Sequence, residues 1–113
     1  LHAAAALVEN RGQPFARQRD AVVAAHPELQ ERELLKRARM TRAIQVALVR
    51  RDLPEFTARL AAEIATGIFS ASYQRWSRST AKHPPKLVRI VDEALARTAE
   101  ITADARLDRT RPS

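Results

Sequence analysis

His2, His26 and His83 are the only imidazoles in the chain, and there is no cysteine. A metal centre or a nucleophilic relay would have to be built on these three histidines. Their placement argues against it: His2 lies in the first apolar segment, while His26 and His83 each precede a proline, and no two have the close spacing of a tetrahedral site. No Ser/His/Asp grouping, glycine-rich phosphate loop or paired carboxylate is visible, so neither enzyme activity, a metal nor a cofactor is expected. The lack of cysteine also excludes disulfides and thiolate ligation.

Arginine is the remaining chemistry. On a helical wheel Arg37 falls among Ile44 and Leu48, where it could meet an anionic ligand; snorkelling of its charged head to the surface is the favoured alternative. Arg75, Arg78, Lys82, Lys86 and Arg89 gather around one connection and could touch nucleic acid. Stacking aromatics for single strands are missing there, and a solvated rim is the simpler reading. The formal charge of +7 comes chiefly from arginine, with lysine only at positions 36, 82 and 86. An alanine- and arginine-rich composition is also what GC-rich coding produces, so the charge carries little weight for nucleic-acid binding.

The elements that must position these groups are helices. With 113 residues the chain suits one domain, and 45% hydrophobic and 29% charged residues are ordinary for a soluble fold. Two glycines and 4% aromatics are too few for a β-rich fold, whereas alanine, leucine, arginine and glutamate favour helix. No apolar run is long enough to span a membrane and no signal peptide is recognisable, so a cytoplasmic location is expected. The chain begins at Leu1 inside a helix-like run without an N-cap, and is read as a fragment lacking its N-terminal portion.

Breakers divide the chain into five helices. The first runs from Leu1 to about Asn10 and is ended by Arg11-Gly12-Gln13-Pro14; the second runs from Pro14 to about Ala25, with Phe15, Val22 and Val23 to one side. Pro27 opens a long third helix ending near Arg51-Asp52, on which Leu34, Met40, Thr41, Ile44, Ala47 and Leu48 share one arc. The fourth spans about Glu55 to Arg78. A polar connection ending in His83-Pro84-Pro85 precedes the fifth, Lys86 to about Thr102, with Leu87, Ile90, Val91, Ala94, Leu95, Thr98 and Ile101 on one face. Residues 104–113 read as a frayed tail, leaving 1–103 as the folded domain.

The fourth helix has two apolar stripes. Phe56, Leu60, Ile64, Ile68 and Ala71 form one; Ala58, Ala62, Ala65, Phe69, Tyr73 and Trp76 form the other, roughly opposite by wheel angle. Arg59, Glu63, Thr66, Ser70, Gln74 and Ser77 make a narrow polar strip between them. One stripe must therefore be covered from outside the domain, most simply by a second copy in a four-helix interface. The aromatic stripe is the expected interface, because its alanines permit close approach. The alternative is a central helix covered on both sides by its own chain.

Several stretches carry a family likeness. His26-Pro27-Glu28-Leu29-Gln30-Glu31-Arg32-Glu33 and Arg37-Ala38-Arg39-Met40 are followed by Arg59-Leu60-Ala61-Ala62-Glu63-Ile64-Ala65, Tyr73-Gln74-Arg75-Trp76 and Leu87-Val88-Arg89-Ile90-Val91-Asp92-Glu93-Ala94-Leu95. In order and character this succession resembles the effector domain of TetR-family transcriptional regulators, from about Phe15 to Ile101, and is most similar to the actinobacterial branch that includes mycofactocin-system regulators. The resemblance implies an all-α bundle that binds a small hydrophobic or amphipathic effector and forms a homodimer through its last two helices. It also implies an N-terminal helix-turn-helix that binds operator DNA, a unit not recognisable within these residues.

On this reading Phe15, Val22, Met40, Ile44, Leu48, Ile64 and Ile68, with Arg37, are ligand-pocket candidates, and for any one of the apolar residues plain core is the favoured alternative. The interface candidates are Ala58, Ala62, Ala65, Phe69, Tyr73 and Trp76, with Leu87, Val91, Ala94 and Leu95. Two other functions are kept open: a helical dimerisation module without a small-molecule ligand, and a basic nucleic-acid-binding bundle.

Overall fold

The computed structural model describes residues 1–110, which fold into five α-helices: α1 (His2–Arg11), α2 (Gln13–Ala25), α3 (Pro27–Arg50), α4 (Glu55–Arg78) and α5 (Leu87–Thr110). The all-helical architecture expected from composition is what is found, with no strand among the described residues. The helix limits follow the breakers. Gly12 separates α1 from α2 at φ 84°, a left-handed backbone that glycine adopts without penalty, and Pro14 and Pro27 sit in the first turns of α2 and α3. The end of α3 is tied off by a Schellman arrangement, in which the Leu53 amide donates to the Leu48 carbonyl and the Asp52 amide to that of Val49. Asp52 supplies the left-handed residue at φ 69°. No helix among the described residues is long and apolar enough to cross a membrane.

One limit differs from expectation. α5 continues through Asp104 to Thr110, where a frayed tail was anticipated. Neither glycine nor proline occurs between Lys86 and Arg111, and Ala103, Ala105, Arg106 and Leu107 are good helix formers, so nothing local stops the helix. The remainder of the expected tail, residues 111–113, lies outside the described residues.

The core lies where α1, α2, α4 and α5 meet. Ala5, Ala16, Ile68, Trp76, Leu87, Ile90 and Val91 are buried there, with Leu1, Val8, Phe69, Tyr73, Val88 and Ala94 packed around them. α1 lies across α5 and is fastened twice. Glu9 Oε1 accepts the Leu87 amide at 3.0 Å, capping the start of α5, and His2 Nε2 meets Asp92 Oδ1 at 2.6 Å. The negative carboxylate of Glu9 also faces the positive end of the α5 dipole.

α3 packs along α4 on its alanine face, where Ala58 and Ala62 are completely buried. Two polar links cross this contact in one antiparallel register. Thr41 and Thr66 place their hydroxyl oxygens 2.8 Å apart, and one turn away on both helices Arg37 Nη1 donates to Ser70 Oγ at 3.4 Å. The threonine pair also lies 3.1 Å from the Arg37 carbonyl and 2.9 Å from that of Ala62. Two hydroxyl protons cannot serve three contacts at once. Thr66 donating to Ala62 and Thr41 to Thr66 uses the two shorter ones.

Candidate functional site

α2 holds the end of α4 with a set of directed side chains. Gln13 Nε2 donates to the Trp76 carbonyl at 2.7 Å, Arg17 Nε donates to the Ser77 carbonyl at 2.8 Å, and Arg17 Nη2 reaches the Ser79 carbonyl. The carbonyls of Ser77 and Ser79 lie beyond the reach of the helix's own amides, whereas that of Trp76 also accepts the Ser79 amide at 3.3 Å, and the guanidinium meets the negative end of the dipole. One turn from the Arg17–Ser77 contact on both helices, Tyr73 donates its hydroxyl proton to Asp20 Oδ1 at 2.9 Å; Asp20 adjoins Arg19, which pairs with Glu33 of α3. The network thus ties α2, α3 and α4 together through groups that each have a partner.

Burial pushes the Tyr73 phenol up to about 12 from 10, and its hydrogen bond to Asp20 and that carboxylate's charge add to the rise, while Arg19 opposes it. The phenol is neutral in both states below pH 10. As pH climbs from about 10 towards 12, the unfolded chain loses this proton before the folded one does, so stability falls across that window. Tyr73 is the only tyrosine, so phenolate absorbance reads it alone. A native titration midpoint near 12, returning to about 10 in denaturant, is expected. A native midpoint at the ordinary value would contradict the Asp20 contact.

Two hollows bear on ligand binding. One, of about 490 Å³, lies between α2 and the start of α3, where Phe15, Val22, Val23 and Leu29 supply apolar walls and Arg19, Arg32 and Glu33 a polar edge. The Arg11 guanidinium stands over the Phe15 ring, 5.5 Å from its centre. The other, of about 360 Å³, is an open-sided groove between α4 and α5. No group of three or more potential metal ligands occurs among the described residues.

No family model, curated protein or solved structure matches the chain. Its function must therefore be read from its own surfaces.

The pocket candidates do not converge. Phe15 and Val22 share the α2–α3 hollow, but Met40, Ile44 and Leu48 are half-buried elsewhere along α3. Ile64 is 51% exposed, and Ile68 belongs to the core and to the α4–α5 groove. Arg37 reaches no hollow; it is exposed and bonded to Ser70, the snorkelling outcome. Leu34, placed on the inner arc by the wheel, is 69% exposed, because α3 rests on α4 through a narrower strip of its surface.

The assignment of the α4 stripes is reversed. Ala58, Ala62 and Trp76 are buried inside the protomer, and Ala65, Phe69 and Tyr73 are partly covered there. Leu87 and Val91 are fully buried in the same core and Ala94 is partly buried, leaving Leu95 as the one exposed residue of that expected interface. The alanines do permit close approach, but the helix they admit is α3 of the same chain. The stripe left in water is the aliphatic one: Phe56 at 72% exposure, Leu60 and Ile64, with Leu95 and Ile101 exposed on α5. Thr66 and Ser77, read as part of a polar strip, are buried too. Each satisfies its hydroxyl on a carbonyl of its own helix, Ala62 for Thr66 and Gln74 for Ser77, which lets a polar side chain face inward.

Proposed function

We propose that the chain is the effector-sensing and homodimerisation domain of a TetR-like transcriptional regulator, acting within a repressor whose operator is read by an N-terminal helix-turn-helix. The observation that carries this reading is the aliphatic stripe Phe56, Leu60 and Ile64, left uncovered on the penultimate helix beside Ile101 and Leu95 of the last. The family resemblance assigns the homodimer contact to those two helices. Surface area agrees in direction. The chain exposes 9005 Å², against about 6,200 Å² for a compact protein of its size. Its radius of gyration is 16.5 Å, where about 13 Å is usual. Part of the excess is the solvent-exposed stretch 99–105 of α5, yet a stable interface needs only about 800 Å² from each partner.

The sensing half of the proposal is supported by the α2–α3 hollow. Its volume and apolar walls suit a small hydrophobic or amphipathic effector, and it adjoins the Arg19–Asp20–Tyr73 network that leads to α4. An effector that binds one arrangement of these helices better than another would shift their balance and thereby the spacing of the DNA readers.

The chain is expected to sediment as a dimer at micromolar concentration. Leu60→Glu with Ile64→Glu should make it monomeric without loss of helicity, weakening association at least about a thousandfold, because every substitution counts twice across a two-fold axis. A wild-type chain that stays monomeric at those concentrations would sink the reading. Thermal shifts against a library of apolar ligands separate a sensor from a bare dimeriser.

A further inference from the structure

α4 carries the large and small residues of its outward face in a self-complementary order. Phe56, Leu60 and Ile64 stand uncovered on its first half, with Phe56 at 72% exposure. The same face runs on through the second half as Gly67 and Ala71, and a Cβ added at Gly67 would meet no other atom within 4 Å. Beside these small residues lies the open-sided groove of about 360 Å³, with Ile90 and Ala94 of α5 as its far wall. Leu60 and Gly67 are equally far from a point between Glu63 and Ile64, on opposite sides of it. Phe56 and Ala71 straddle the same point. Around a two-fold axis, a residue that faces another is faced by it in return. An antiparallel copy of α4 centred on that point therefore meets each of these bulky side chains with a small one, twice over.

We infer that the second copy docks with its α4 antiparallel to this one and the axis beside Ile64, so that each Leu60 rests on the partner's Gly67 and each Phe56 enters the partner's α4–α5 groove at Ala71. The inference rests on the dimer proposed above and adds its register and its anchor. The groove has room for about twelve groups of methylene size, and a phenylalanine and a leucine side chain together bring about eleven carbons. Arg75, Glu93 and Arg97 are exposed in the groove lining and keep their charged ends in water while the ring enters between Ala71 and Ala94. A parallel pairing would instead set Phe56 on Phe56 and Gly67 on Gly67, crowding one end of the seam and leaving a gap at the other.

The chain has no cysteine, so introduced cysteines report the register without interference. Ile64→Cys, next to the axis, should give a disulfide-linked dimer on mild oxidation. Phe56→Cys alone should not, because this register sets the two copies of position 56 about 22 Å apart along the helices, beyond the reach of a disulfide. Phe56→Cys combined with Ala71→Cys should link. Sedimentation reads the energetic side. Gly67→Leu places its first carbon in open space within its own chain, yet it should weaken association about a hundredfold, since two leucines then compete for each small site. Leu60→Ala should weaken it by a similar factor. Together the two substitutions only exchange the large and small positions, and the double variant should return to within about tenfold of the wild type. Gly67→Leu dimerising as well as the wild type, additive losses in the double variant, or linkage of Phe56→Cys alone would each overturn the register. A monomeric wild-type chain would overturn it together with the dimer. A wild-type dimer that Leu60→Glu with Ile64→Glu separates, but that Ile64→Cys does not link, would overturn the register alone.

Discussion

Replacing Trp76 by alanine will destabilise the fold by about 3–5 kcal/mol, the usual cost of deleting a large aromatic from a packed interior. Trp76 is 3% exposed and sits where α4 faces α2 and α5, among Ala16, Ile68, Leu87 and Val91, with the Tyr73 ring 6.2 Å away. Alanine residues supply two of the buried core positions, and they have no length with which to fill the hole. A domain of this size has only about 5–15 kcal/mol of total stability, so the variant should be partly unfolded at 37 °C. Trp76→Phe, which keeps most of the ring area, should cost much less. The measurement is urea unfolding followed by far-UV circular dichroism, because the substitution removes the only tryptophan and with it the fluorescence signal. A loss below about 1 kcal/mol would mean that the indole is not in the core.

Arg17→Ala should come next in size, at about 2–3 kcal/mol. The guanidinium forks onto the carbonyls of Ser77 and Ser79, beyond the point where α4 can satisfy its own acceptors. Hydrogen bonds from a charged donor contribute about 1.5–3 kcal/mol, and the helix dipole adds a few tenths to one more. The upper part of that range is not expected, since Arg17 itself is solvent-exposed and water can partly replace it. Arg17→Lys should recover under half of the loss, because an ammonium cannot span two carbonyls in a fixed fork. Hydrogen exchange gives the local readout: in the alanine variant protection should fall first at the C-terminal turn of α4. Uniform loss along the chain would indicate general destabilisation instead.

The helix limits were legible because backbone chemistry is local. Gly12, Pro14, Pro27, Pro54 and Pro85 act on their own neighbours, and α2, α3 and α4 begin and end within a residue or two of where those breakers place them. The two-faced character of α4 was legible for the same reason, since the wheel is a property of one helix. Which face turns inward was not. A run of Ala58, Ala62 and Ala65 says that another backbone comes close, and is silent on whether that backbone belongs to α3 or to another molecule. Thr66 and Ser77 show a second limit. Both are 1% exposed, and a hydroxyl that can bond to its own helix gives no sign in the sequence that it will be buried. The α4–α5 groove depends on the volumes of side chains from two helices meeting in space, so neither helix predicts it alone.

The Thr41–Thr66 contact has a mechanical consequence. An interface made largely of alanine is smooth, and two smooth helices can slip past one another by a turn, about 5.4 Å, with little change in apolar contact. A pair of hydroxyls shared across the interface opposes that slip: one turn out of register the Thr41–Thr66 contact is lost, each proton falls back on the carbonyl of its own helix, and the Arg37–Ser70 link parts as well. Displacement of α3 relative to α4 is therefore a swing about a fixed point near Thr41, with the largest excursions at the two ends of α3. Those ends are the places where α3 meets the α2–α3 hollow and where it turns into α4. Thr66→Val, similar in shape but without the hydroxyl, would change that swing into a slide.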